Sequence, residues 1–304
     1  MRVLLTGASG FVGKATLAAL LDRGVEVTAV ARTSPDVPGT YRFAACDLLD
    51  GSQALDDIFS PKIDVALHLA WCVEHGAFWT SPANLDWVGA TLRLARAAER
   101  HGVPRVVVAG TCYEYAWPRD GNCAEDTLLS PTTLYAIAKD ATRRACEAFF
   151  APRGIGFAWA RIFFLYGPGE HPDRLVPSIA RRLVRGEPAP SSRGLAVRDF
   201  LDVRDAGRAL AALAASSAQG AFNVASGQAI SIAEVVRRLG ELAGRPDLVQ
   251  IGGLADRPDE PPRIVADVRR LPVTLDSWPT IPLDQGLREA LSYWQHRAKN
   301  AGMT

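Results

Sequence analysis

The sequence lacks paired cysteines, long apolar runs and a surplus of either charge, and each absence removes a class of function. Its five cysteines, Cys46, Cys72, Cys112, Cys123 and Cys146, are odd in number, widely spaced and free of any C-x-x-C pair. That pattern speaks for reduced thiols in a cytoplasm and against a zinc site. No apolar run approaches the roughly 20 residues that cross a bilayer, and Met1-Arg2 leads straight into a strand pattern rather than a signal peptide. The formal net charge is +1 and the basic residues are spread along the chain, so no footprint for nucleic acid is visible. Internal repeats and low-complexity segments are absent too. The expectation is a cytoplasmic protein without a membrane, metal or nucleic-acid partner.

What is present begins at the N-terminus. Val3 to Leu5 reads as a short buried strand, and Phe11 to Leu21 carries apolar residues at helical spacing. Gly7, Gly10 and Gly13 stand on the turn between them. Gly7 permits the tight turn and Gly10 admits a pyrophosphate to the backbone. Gly13 lets helix and strand pack closely, while the helix N-terminus points free N–H groups at the phosphates. Ser9, Phe11 and Val12 share this turn and belong to the same expected set of dinucleotide contacts.

Strand patterns follow at Val25–Val30, Tyr41–Cys46, Ile63–Ala70 and Arg105–Ala109, with helical patterns near Ser52–Phe59 and over Asn84–His101. A long helix is expected at Leu134–Phe150 and a strand at Gly156–Arg161. Strands alternating with helices imply a mostly parallel sheet covered on both faces. Beyond Tyr166-Gly-Pro-Gly169 prolines and glycines thicken, and a helix at Leu175–Arg185 stands apart. Short strands are expected at Arg198–Val203 and Gly220–Val224, then a helix at Ser231–Ala243 capped by Ser231. The fold class is α/β: a doubly wound parallel Rossmann sheet with a second, smaller α/β substrate-binding domain. Residues 1–166 form the expected NADP(H)-binding domain and 167–304 the substrate-binding domain, with segments near 196–226 returning to the first.

The end of the second strand speaks to the cofactor. An acidic residue there accepts from the ribose 2′-hydroxyl of NAD and repels a 2′-phosphate. This chain has Ala31-Arg32-Thr33 instead, and a guanidinium suits a phosphate, so NADP(H) is favoured over NAD(H). Asp47 and Leu48, after the third strand, are placed to address the adenine. Leu69, Ala70 and Trp71, after the fourth, are placed to line the cofactor cleft.

Tyr135 and Lys139 stand one helical turn apart, sharing a face on the helix that follows the fifth strand. A nearby ammonium stabilises phenolate, lowering a tyrosine pKa toward the working range. Such a tyrosine gives a proton to a ketone oxygen, or takes one from a hydroxyl, as hydride moves to or from nicotinamide. Thr111, at the end of the fifth strand, supplies a hydrogen bond at the reacting oxygen.

Together Gly7, Gly10, Gly13, Thr111, Tyr135 and Lys139 resemble an extended short-chain dehydrogenase/reductase. The closer resemblance is to the NAD(P)-dependent epimerase/dehydratase branch that modifies nucleotide sugars, and it covers nearly the whole chain. Arg161 to Gly169, Arg174 to Ser178, Arg198 to Phe200, Phe222 to Gly227 and Arg257 to Glu260 follow in the family's order. The resemblance implies a Thr111–Tyr135–Lys139 catalytic set, with Lys139 also holding the nicotinamide ribose. It implies Arg198 and Arg257 at the substrate diphosphate, and Arg174, Cys112 and Tyr113 on the substrate side. It also implies a homodimer through the helices at 84–101 and 134–150.

The segment after Thr111 narrows the reaction. Members resembling 4,6-dehydratases carry an acidic pair where this chain has Cys112 and Tyr113. Glu114 is one place along, which reverses side-chain direction on an extended segment. Members resembling GDP-fucose synthase carry a cysteine at the position of Tyr113. A keto-reductase acting at C4 is therefore expected, with a 4-epimerase, a small ketone or aldehyde reductase, or a non-catalytic NADP-binding sensor as the alternatives. Phe164 and Asp86 stand where the family has asparagines, which marks an unusual substrate cleft.

Overall fold

The computed structural model describes residues 1–50, 54–60, 62–118, 120–258, 260–271 and 281–300. Ser52, at the start of one expected helix, and Asp259, in the Arg257–Glu260 segment, lie outside the described residues. In chain order the first half comprises β1 (Arg2–Thr6), α1 (Phe11–Asp22), β2 (Glu26–Ala31), β3 (Arg42–Ala45), α2 (Ala54–Ile58) and β4 (Val65–His68). Then come α3 (Ala83–Arg100), β5 (Arg105–Thr111), α4 (Leu134–Phe150), β6 (Gly156–Ile162) and β7 (Phe164–Tyr166). The remainder comprises α5 (Leu175–Arg185), β8 (Ala189–Ser191), β9 (Val197–Asp202), α6 (Val203–Ala215) and β10 (Gly220–Val224). It ends with β11 (Ala229–Ser231), α7 (Ile232–Leu242), β12 (Val249–Ile251), β13 (Arg263–Ile264) and α8 (Leu283–Asn300).

Seven of these strands form one parallel sheet in the order β10-β6-β5-β4-β1-β2-β3. The β3-to-β6 part is the doubly wound order, and it reverses direction between β1 and β4, where such sheets bind ligands. Alternation along each strand builds the two covered faces. Val3, Leu5, Leu67 and Val107 pack with Leu17 and Leu20 of α1 and Leu210 and Leu213 of α6. Leu4, Ala66, Val106 and Val108 pack on the opposite side with Leu94 and Ala98 of α3 and Cys146 and Phe150 of α4. Every side chain of β5 is buried, as expected of a strand covered on both faces.

The remaining strands make smaller sheets. β9 pairs antiparallel with β11, and parallel with β13 and β7, while β8 pairs with β12. A third core joins α5, α7 and α8 through Ile179, Leu183, Val236, Leu239, Leu287 and Leu291. Ser231 caps α7 by accepting from the Glu234 N–H. Within 196–226, the segment expected to return to the first unit, the structure separates two parts. β9 stays with the small sheet, whereas α6 packs on α1 and β10 pairs with β6. α8 was not anticipated, although Leu283, Leu287, Leu291 and Trp294 repeat at helical spacing.

Candidate active site

The glycine turn is built tightly. Gly7 has φ of +72°, and a Cβ there would lie 2.7 Å from the Ala70 nitrogen, so the turn rests directly on the end of β4. A Cβ on Gly13 would lie 2.0 Å from the Gly7 oxygen, which lets the first turn of α1 close over the β1 end. Gly10 is the N-cap of α1, which has no side-chain cap and no acidic residue in its first turn. Such an N-terminus, with its N–H groups uncapped by side chains, fits a pyrophosphate. Ser9, Phe11 and Val12 are partly buried on this turn. Arg32 is exposed just past β2, and Asp47 is exposed past β3 with Oδ1 accepting from the Leu49 N–H. Leu48 is buried, and its carbonyl accepts from Arg93. Leu69 and Ala70 are half-buried and Trp71 is buried, all at the end of β4.

At the end of β5 the chain turns instead of running on extended. Residues 112–114 form a single 3-10 turn, capped by the Thr111 hydroxyl and closed by Glu114 Oε1 accepting from the Thr111 N–H at 2.8 Å. This corrects the expectation of an extended segment, while the separation of Glu114 from the cleft stands for a different reason. Its carboxylate is 0% exposed and is held by Arg161 Nε at 2.8 Å and Trp159 Nε1 at 2.9 Å. Cys112 packs inward with Tyr115, Cys123 and Phe163.

Tyr135 sits in the first turn of α4. Thr133 caps that helix, and the Tyr135 N–H donates to the Trp79 carbonyl, so the loop before α3 holds the helix start. The Thr111 hydroxyl, at the end of β5, acts on the Tyr135 phenol in favour of its charged form. Lys139, one turn on, donates from Nζ to the Ala109 carbonyl at 2.8 Å. Burial pushes the Tyr135 pKa up, and the pull of Thr111 only partly offsets it. The same burial pulls Lys139 down to about 7, opposed by the Glu114 carboxylate. The expected lowering of the phenol by the ammonium is therefore overturned in this dry site, because desolvation of the phenolate outweighs it.

Three of the residues expected on the substrate side converge electrostatically on a fourth. Arg198, Arg174 and Arg257 all act on Tyr113, whose phenol is nonetheless pushed up by burial. Arg174 and Arg257 are exposed. Arg198 is not free, contrary to the expectation of an open phosphate ligand. Its guanidinium donates to the Val197 and Pro261 carbonyls and to Glu260 Oε1 at 3.0 Å. To meet a diphosphate it must leave Glu260. An aromatic wall of Phe78, Trp79, Tyr113, Trp117 and Phe164 surrounds this region, with Phe78 4.9 Å edge-on to Tyr135. His171 stacks on His75 at 5.1 Å, joining the loop after β7 to the loop after β4.

Glu170 is a feature with no counterpart among the residues expected at the site. It is 4% exposed, pairs with Arg174 Nε at 3.1 Å, and leaves Oε2 without a partner among the described residues. Burial lifts its carboxyl to about 8 from an ordinary 4.5, against the pull of Arg174. The folded state therefore binds the proton more tightly than the unfolded chain. Its stabilisation is complete below about pH 4.5 and is lost as pH rises through about 8. Glu170→Gln, which keeps the shape of the neutral form, is expected to flatten the decline of the thermal midpoint over that window. Thermal unfolding at a series of pH values checks this, and an unchanged slope contradicts it.

The buried polar network below the site was also missed. Arg161 links Glu114 to the Tyr115 hydroxyl, which donates to Asn223 Oδ1 at 2.7 Å on β10. Asn223 in turn donates to the Cys123 and Asp267 carbonyls. No group of three or more His, Cys, Asp or Glu side chains suited to a metal occurs among the described residues. No described helix is long and apolar enough to cross a membrane.

Residues 3–225 match the sequence model of the NAD dependent epimerase/dehydratase family. GDP-6-deoxy-D-mannose reductase of Pseudomonas aeruginosa is 29% identical, with 98% of each chain covered. dTDP-glucose 4,6-dehydratase of Streptomyces griseus is also 29% identical, over 98% of this chain and 95% of that one. A solved structure of MoeE5 in complex with UDP-glucuronic acid and NAD superposes with a TM-score of 0.84. It is 32% identical and covers 98% of this chain and 100% of its own.

Proposed function

Because the chain belongs to the NAD dependent epimerase/dehydratase family, we propose that it reduces a ketone at C4 of a nucleotide-linked sugar, with Tyr135 as the proton donor. The observation that carries this reading is the state of the buried Tyr135 phenol. Burial holds it neutral against the opposing pull of Thr111, and a neutral phenol is the form that reduction consumes. A bound nicotinamide supplies the hydride. The chain's own residues do the rest: the turn at Gly7, Gly10 and Gly13 holds the pyrophosphate, and Lys139 holds the nicotinamide ribose. Thr111 and Tyr135 bond the carbonyl oxygen, and Tyr135 delivers the proton as that oxygen becomes an alkoxide. Arg174 and Arg257 take the diphosphate, joined by Arg198 once it releases Glu260. Cys112 and Tyr113 leave the site without the carboxylate pair that elimination of water needs.

Arg32 supports NADP(H), standing exposed beside Ala31 where a carboxylate would select NAD. A second reading is 4-epimerisation with a retained cofactor. It is favoured by the MoeE5 structure, which holds NAD together with UDP-glucuronic acid. We further propose a cytoplasmic homodimer through α3 and α4, which expose Leu85 and Ile137.

Incubation with a panel of 4-keto nucleotide sugars and of UDP-hexoses, with NADPH or NADH, tests both readings. Stoichiometric loss of NADPH supports reduction, and interconversion without loss supports epimerisation. No reaction with any member sinks both. Arg32→Ala is expected to weaken NADPH binding roughly tenfold and to spare NADH, the loss of one charge-assisted contact. Equal affinities for the two cofactors before and after the change would remove the argument from Arg32.

A further inference from the structure

We propose that Trp71 is a positioning residue for this site: its indole face carries the Lys139 ammonium, and Asn84 fixes the plane of that indole. Lys139 is 3% exposed, and its Nζ lies 3.8 Å from the centre of the Trp71 ring. A lysine ammonium has three donors, and here one goes to the Ala109 carbonyl. No carboxylate is hydrogen-bonded to Nζ among the described residues. The charged and titratable groups that face it are few. Glu114, on the turn after β5, favours the ammonium from a distance. His68, on β4, is fully buried and held neutral, its pKa near 3, between the Thr6 and Thr91 hydroxyls. Tyr135, on the same helix, is kept neutral by burial. The indole is therefore the principal side-chain contact that compensates a desolvated cation, and indole is the aromatic ring best suited to that work.

The ring is locked as well as close. Trp71 Nε1 donates to Asn84 Oδ1 at 2.9 Å. Asn84 is 0% exposed and donates from Nδ2 to the Phe78 carbonyl at 2.7 Å and the Ser81 carbonyl at 2.9 Å. Trp87 stacks beside the indole at 6.2 Å. A side chain used only to fill space has no need of a dedicated, fully satisfied amide to set its orientation. Here the amide ties the indole to the first turn of α3, and the indole ties α3 to the ammonium on α4. The consequence is that Lys139 stays protonated, with two donors turned away from Ala109, at a pH where burial alone would strip it.

The effect on turnover rests on the reading of Lys139 as part of the reacting set; the effect on its titration does not. Lys14, Lys62, Lys139 and Lys299 are the chain's lysines, so selective 13Cε-lysine labelling gives a spectrum simple enough to follow by NMR. Comparison with Lys139→Met identifies the Lys139 signal. In the full-length protein, Trp71→Leu is expected to lower the Lys139 titration midpoint by about one pH unit and to leave Lys14, Lys62 and Lys299 in place. Trp71→Phe, with a weaker ring face, is expected to shift it less in the same direction. The alkaline limb of the rate profile should move with the NMR midpoint. An unchanged Lys139 midpoint in Trp71→Leu overturns the proposal, however much activity is lost. If Trp71→Leu does not fold, Trp71→Phe decides alone, and an unshifted midpoint overturns the proposal there too. If no sugar is turned over, the function assigned above fails while the NMR measurement still decides this inference.

Discussion

Tyr135→Phe is expected to lower kcat/KM by roughly 10²–10⁴-fold while leaving cofactor affinity within about twofold of the native protein. The substitution removes one hydroxyl and keeps the ring that packs edge-on to Phe78. It thereby separates proton delivery from the shape of the pocket. The lost contact is one that strengthens as negative charge develops on the substrate oxygen, so the fall should lie in kcat more than in KM. Thr111 stays seated through the capping of the 112–114 turn. Steady-state kinetics with the substrate found by the panel, and fluorescence titration of the cofactor, are the measurements. Retained turnover at the native rate would remove Tyr135 from the chemistry.

Glu114→Ala is expected to cost about 3–5 kcal/mol of stability, read as a fall of roughly 10 °C or more in the thermal midpoint. The change strands Arg161, which is 2% exposed, and removes the acceptor shared by Trp159 Nε1 and the Thr111 N–H. A lone buried guanidinium is more costly than a missing ion pair. The double variant Glu114→Leu with Arg161→Met is therefore expected to recover part of the loss, because no charge is then left without a partner. Thermal melts of the single and double variants form a cycle. A single variant that melts within about 2 °C of the native protein would mean that Arg161 finds another acceptor.

Local features were legible in the sequence, and features that join distant segments were not. The turn at Gly7–Gly13 announces itself because strand, glycines and helix are contiguous. Tyr135 and Lys139 are legible because a helix puts positions four apart on one face. Thr111 is legible because it follows the apolar run Val106–Ala109 at the end of a strand. By contrast, the partners of the charged groups come from far away in the chain. Arg161 meets Glu114 and Arg198 meets Glu260, and the burial of Glu170 follows from the assembled fold rather than from its neighbours in sequence. The 3-10 turn after Thr111 was missed because its capping box, a threonine followed three residues later by Glu114, was read as the start of an extended run. The direction of the Tyr135 shift was misjudged for a related reason: composition names the ammonium, but only the fold reveals how dry its neighbour is.

The placement of β10 at the outer edge beside β6 constrains how the protein is made. Synthesis proceeds from the N-terminus at roughly 5–20 residues per second. β6 is complete at Ile162, while its outer neighbour begins at Gly220. For several seconds the nascent sheet carries an unpaired edge, and α1 lacks the helix that covers its apolar face. A nascent chain that has emerged only to about residue 166 holds a sticky intermediate, whereas one that has emerged past Val224 holds a sheet in which β6 is paired on both sides. Dependence on a chaperone should therefore be concentrated in that interval of translation.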